Sequence, residues 1–178
     1  MKTLRVWDRA VRALHGVLVG AVALSALGLV ALFGVHQPAG YVALAAVVLR
    51  IGWGVTGTHY ARFAQFMRGP RTAWRYARAV AAHREPRYLG HNPLGAWMVV
   101  ALMVCVAGLA LTGWLYTTDA YWGDEAVEGI HRALAWTLLG LVIVHVAGVI
   151  FTSLRHRENL VASMLNGDKR APEGDDIA

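Results

Sequence analysis

Four histidines in this 178-residue chain stand where imidazoles are seldom found. His131 and His145 lie in GIHRALAWTLLGLVIVHVAG, residues 129–148, a run otherwise dominated by apolar residues. On an α-helix their spacing amounts to a rise of about 21 Å and an azimuthal offset of only about 40°. The two rings therefore share a helix face at separate depths. An ionisable group in hydrocarbon is expensive unless it has a partner. One such histidine would be satisfied by a hydrogen bond to a neighbouring helix. Two at matched azimuth call for two more, and the chain supplies His15 and His36.

The elements that must position them read as membrane helices. Apolar residues make up 57% of the chain and charged residues only 16%, against about 25% charged in a soluble domain. The apolar residues are blocked into four stretches, 11–33, 39–58, 93–117 and 126–154, each near or above the roughly 20 residues that cross a bilayer as a helix. The first is too long, and its flank too poor in a cleavage site, for a cleaved signal peptide, so it is expected to be retained. There is no internal repeat or low-complexity tract. The lone cysteine, Cys105, falls mid-span and says nothing about redox compartment. The expectation is an all-α membrane protein, a four-helix transmembrane bundle forming a single domain over residues 1–178.

Charge orients it. Four spans put both termini on the same side as the loop between the second and third. That side carries Lys2, Arg5, Arg9 and Arg12, seven arginines from Arg62 to Arg87, and then Arg155, Arg157, Lys169 and Arg170. The other side has an uncharged turn at Gly34–Pro38 and the loop Thr118–Glu125, where Asp119, Asp124, Glu125 and nearby Glu128 face one basic residue, Arg132. Basic loops stay in the cytoplasm, which predicts a multi-pass protein of the bacterial inner membrane with both termini cytoplasmic. The pI near 10.0 then reflects topology and attraction to anionic lipid rather than nucleic-acid binding. The segment GPRTAWRYARAVAAHREPRY, residues 69–88, interleaves arginines with Trp74, Tyr76 and alanines. It reads as an interfacial helix between spans two and three, opened by Pro70. Asn92 and Pro93 suit the cap and first position of span three.

Antiparallel threading sets His15 at roughly the depth of His145 and His36 near that of His131. The 21 residues from His15 to His36 include a turn, so helix tilt, or a His36 set just inside the first turn, must absorb a mismatch. Two depth-matched pairs suit two six-coordinate haems, each held by imidazoles from two helices. A zinc pair is disfavoured, since neither depth offers a cysteine or carboxylate to complete a tetrahedron.

The stretches VWDRAVRALHG, LRIGWGVTGTHYARFAQFMRGP, YLGHNPLGAWMV, LTGWLY and EGIHRALAWTLLGLVIVHVAGVIFTSLRHRENLVASMLNGDKR cover almost the whole length. Together they resemble the bacterial cytochrome b561 family, which includes the b-type cytochrome subunits of nickel–iron hydrogenases. The resemblance implies a four-helix bundle with two b haems, ligated by His15, His36, His131 and His145. The tail APEGDDIA matches no role in that family.

Other residues carry two readings each. Arg50 stands fourteen residues after His36 and either pairs with a haem propionate or snorkels to water. His59 and His91, at a span boundary, are read as interfacial polar residues, with a quinone pocket as the rival. His83 and His156 are expected to face solvent. Gly16 and Gly20 are read as a close helix contact, and Trp53, Trp97, Trp114 and Trp122 as interface anchors.

The function expected from these observations is transmembrane electron transfer through two b-type haems. It would run between membrane quinone or quinol and a periplasmic partner, a c-type cytochrome or an oxidoreductase subunit, docked on the acidic loop. One alternative is the membrane-anchor cytochrome of a larger periplasmic oxidoreductase such as a hydrogenase. The other is a haem-free bundle that binds or transports metal through the histidines.

Overall fold

In a computed structural model the chain is mostly helical. It describes residues 2–31 and 33–177, with side chains for 2–27 and 34–177. In chain order the elements are β1 (Thr3–Arg5), α1 (Arg9–Ala31), α2 (Phe33–Thr56), α3 (Phe63–Phe66), α4 (Pro70–Ala81), α5 (Pro93–Leu115), α6 (Glu125–Arg155), α7 (Leu160–Asn166) and β2 (Asp168–Arg170), with a 3-10 turn at His59–Ala61 before α3. Among the described residues four helices are long and apolar enough to cross a membrane, over Arg9–Leu27, Gly34–Thr56, Pro93–Leu115 and Glu125–Arg155. These are the four expected spans, and position 32, inside the first of them, lies outside the described residues.

One boundary is corrected. The expected turn at Gly34–Pro38 is helical, because α2 already begins at Phe33 and runs through Pro38. Proline has a helix-compatible φ and lacks only its own N–H. This close to the start of the helix, the bond to the Gly34 carbonyl is the one it forfeits. His36 consequently sits in the first turn of α2.

The chain divides into two compact units. The first comprises residues 1–12, 52–100 and 144–178. Here β1 and β2 pair antiparallel, with Thr3 opposite Arg170 and Arg5 opposite Asp168. A core of Val6, Trp7, Val11, Ala61 and Leu89 is flanked by Leu4, Trp53, Tyr60 and Met164. Asp8 caps α1 by accepting from the Val11 amide at 2.8 Å. It also accepts from Trp53 Nε1 at 3.0 Å and from the Thr58 hydroxyl at 2.5 Å. Asn92 caps α5 through the Gly95 amide at 2.8 Å, as its sequence position predicts. Asn159 caps α7 through the Ala162 amide, also at 2.8 Å. Gly167 ends α7 at φ 93°, and its carbonyl accepts from the amides of both Val6 and Trp7 at 3.0 Å.

An ion cluster in this unit has no signature in the sequence pattern. Arg87 donates to Glu158 at 2.6 Å, to Asp176 at 2.5 Å and to the Arg170 carbonyl at 2.8 Å. Lys169 lies 3.2 Å from Glu158 and donates to the carbonyls of Tyr88 and Leu89. Arg87, Glu158 and Lys169 all have buried side chains. The tail is part of this arrangement. The Ile177 amide donates to the Arg87 carbonyl, and the Leu89 amide to the Ile177 carbonyl, each at 2.9 Å.

The second unit comprises residues 13–51 and 101–143. Its packing includes close approach of α5 and α6. The Cys105 thiol donates to the Leu134 carbonyl at 3.3 Å, and a Cβ on Gly108 would lie 3.2 Å from a Leu134 methyl. The loop between these helices ends in Asp124, which caps α6 by accepting from the amides of Ala126 and Val127 at 2.9 Å. At 31 residues, α6 is about 46 Å long and outreaches a hydrocarbon core of about 30 Å.

Candidate functional site

Two of the four singled-out histidines meet in the second unit. His36 on α2 and His131 on α6 have ring centroids 6.1 Å apart, with their planes at 71°. Each ring is anchored through Nδ1. His36 Nδ1 lies 2.8 Å from the Ser25 backbone carbonyl, to which it can only donate. Ser25 returns a bond from its hydroxyl to the His36 carbonyl at 3.0 Å. These reciprocal bonds tie the first turn of α2 to α1. His131 Nδ1 lies 2.9 Å from the hydroxyl of Thr112 on α5. Beside that hydroxyl is Gly113, where an added Cβ would approach the His131 ring to 3.3 Å at Cε1.

This arrangement can hold a metal-centred macrocycle. His36 Nδ1 must donate to its carbonyl, so Nε2 keeps its lone pair, as a ligating imidazole requires; His131 is in the same state when the Thr112 hydroxyl accepts. An iron bound to one nitrogen of each ring at about 2 Å would place the centroids about 6 Å apart, which matches the observed separation. Among the described residues no group of three or more His, Cys, Asp or Glu could hold a bare ion. Two imidazoles are the axial set that a haem iron accepts, its other ligands coming from the porphyrin.

His15, on α1, belongs to the second unit and His145, on α6, to the first; both are half-buried. Arg50, on α2, is only 9% exposed, which disfavours snorkelling. In the first unit His91 lies between the rings of Trp7 and Phe66, at 4.8 and 4.5 Å, and His59 meets Tyr60 edge-on at 5.0 Å. His83 is exposed as expected, whereas His156 is half-buried. Trp53, expected as an interface anchor, is turned inward to Asp8. Of the four acids in and beside the loop Thr118–Glu125, Asp124 caps α6 and Glu128 pairs with Arg132 at 2.6 Å.

Sequence reasoning passed over Ser25, Thr112 and Gly113. A signal was present: Ser25 is the sole hydroxyl residue of α1, and Thr112 the sole one of α5.

Comparison with known proteins adds to this geometry. The family described as prokaryotic cytochrome b561 matches residues 6–167. A protein of Azotobacter vinelandii named probable Ni/Fe-hydrogenase B-type cytochrome subunit is 27% identical over 158 residues, covering 74% of this chain and 65% of that protein. The protein of the same name from Rhizobium leguminosarum bv. viciae is 23% identical over 171 residues, covering 80% of this chain and 70% of that protein. The chain thus spans a little under two thirds of the length of the Azotobacter vinelandii relative.

Proposed function

Because the chain belongs to the prokaryotic cytochrome b561 family, a family of membrane b-type cytochromes and hence of haem b proteins, we propose that it carries electrons across the bacterial inner membrane. The proposed route joins membrane quinone or quinol to a periplasmic redox protein. The observation that carries this reading is the His36–His131 pair, with both Nδ1 atoms engaged and the rings 6.1 Å apart. These two residues hold one haem b. Depth matching along antiparallel spans leads us to give a second haem b to His15 and His145, with residues 1–178 as one dihaem domain. Each bound haem supplies a one-electron carrier.

The protein's own part is to hold, orient and shield. The imidazoles fix the haems, and Arg50, buried in α2, pairs with a propionate. The spans exclude water from the ligands, and a basic termini-bearing side keeps the chain oriented with both ends in the cytoplasm. Helix α4 lies at the membrane interface. It exposes Trp74 beside Arg71, Arg75 and Arg78, and such a mixture suits anionic lipid heads.

The relatives' printed names favour a second reading, in which the chain is the membrane-anchor cytochrome of a larger periplasmic oxidoreductase such as a hydrogenase. One preparation tests both. Chain purified alone should carry two haem b per polypeptide, and both should become reduced on adding quinol. One haem or none contradicts the dihaem assignment. Two haems that quinol reduces only when a periplasmic subunit is co-purified favour the anchor reading.

A further inference from the structure

His36 and His131 satisfy Nδ1 by different means. For His36 the acceptor is the backbone carbonyl of Ser25, which no side-chain substitution removes. For His131 the group at hydrogen-bond distance is a hydroxyl on α5, a helix that itself holds no histidine, with the Leu109 backbone carbonyl of the same helix also close to the ring. Thr112 is buried, at 9% exposure. Its hydroxyl has one proton to give, and it lies 2.9 Å from the Gly108 carbonyl and 3.2 Å from that of Leu109. With that proton directed to a carbonyl of its own helix, the oxygen faces His131 as an acceptor. The ring must then carry its proton on Nδ1 and its lone pair on Nε2. The adjacent Gly113 leaves room for the ring, since a Cβ there would crowd Cε1.

We propose that Thr112 is the positioning residue of the haem ligand His131. It fixes the ring's tautomer and orientation and raises the basicity of its iron-facing nitrogen. This gives α5 a role in the site although it contributes no ligand. The inference rests on His131 being an axial ligand. A ligating imidazole whose other nitrogen donates to an acceptor is the stronger electron donor. It favours the oxidised metal, so removing the acceptor raises the midpoint potential of the haem it serves.

Thr112→Val keeps the shape and removes the acceptor, Thr112→Ser keeps the acceptor, and His131→Ala reports whether the ligand assignment holds. In redox titrations of purified holoprotein, Thr112→Val should shift one haem component upward by up to tenfold in its ferric–ferrous ratio, about 59 mV for one electron. The other component should stay in place, and Thr112→Ser should titrate as the parent does. The low-spin ferric resonance of the same haem should move in Thr112→Val and return in Thr112→Ser. Loss of that single haem in Thr112→Val, with recovery in Thr112→Ser, supports the proposal equally. Unchanged potentials and resonances in Thr112→Val would overturn it, as would an equal shift or loss of both haems that Thr112→Ser does not restore. If His131→Ala keeps both haems, the ligand reading fails. If it loses one while Thr112→Val is silent, only the role of Thr112 falls.

Discussion

Gly167 holds a backbone conformation that L side chains resist. Its φ is 93°, and a Cβ there would meet the Trp7 carbonyl oxygen at 2.6 Å. The close approach exists because the Gly167 carbonyl receives the amides of Val6 and Trp7. Gly167→Ala should therefore destabilise this unit by about 1–3 kcal/mol, from backbone strain and loss of contact. Faster amide exchange through residues 3–11 and 160–170 is the expected readout, and exchange unchanged from the parent would refute the argument. Glycine at this position gives no warning in the sequence, because its partner is some 160 residues away. The four histidines were legible for the opposite reason. Hydrocarbon penalises an ionisable ring wherever it stands, so its mere presence signals a role. A lone threonine on an apolar helix is a weaker signal, since its hydroxyl can close on the carbonyl four residues back, as Thr112 does.

At the scale of elements, the ion cluster that fastens β2 and the tail sets an acid limit on the first unit. Burial alone would push the Glu158 carboxyl upward, but the hydrogen bond and charge of Arg87, with Lys169 and the Arg170 amide, hold it below its ordinary 4.5. Asp176 is likewise held below 3.8: burial opposes this, and the Glu173 amide and Arg87 outweigh it. Lys169 is held below its ordinary value because burial outweighs Glu158. A carboxylate held low in the fold contributes stability that is complete above its ordinary value and disappears as pH falls through the lowered one. Protection of the amides of residues 168–177, their exchange taken relative to the intrinsic rate at each pH, should accordingly be flat from pH 7 to about 5 and fall below about 4.5, the onset set by the unfolded carboxylates. A fall in protection already between pH 7 and 6 would implicate a histidine instead. The helices α1, α2, α5 and α6 were readable because a bilayer demands long apolar runs. Three-residue strands leave too short a pattern to read, and the sequence showed Arg87 and Lys169 only as cytoplasmic charges. The start of α2 reads as a turn at Gly34–Pro38 because Pro38 signals one wherever helical context does not override it.

At the scale of the whole molecule, the proposed exchange with a periplasmic partner depends on the acidic loop. Asp124 has a capping duty and Glu128 is paired with Arg132, so Asp119 and Glu125 are the acids to neutralise without uncapping α6. Acidic rims speed encounter with basic carriers. Electron transfer with a basic c-type cytochrome should slow several-fold as ionic strength rises to 0.15 M, where screening falls to about 8 Å. It should slow similarly in Asp119→Asn/Glu125→Gln, with reduction by quinol unaffected. A rate indifferent to both salt and substitution would leave the loop as a connector. The central claim, that paired histidines from different helices hold two haems, is tested most directly by counting spectral components in single-ligand variants. His36→Ala and His131→Ala should each delete the same haem component, and His15→Ala and His145→Ala should each delete the other. Loss of one and the same component in His15→Ala and His36→Ala would contradict the pairing, and retention of both haems in all four variants would contradict the account as a whole.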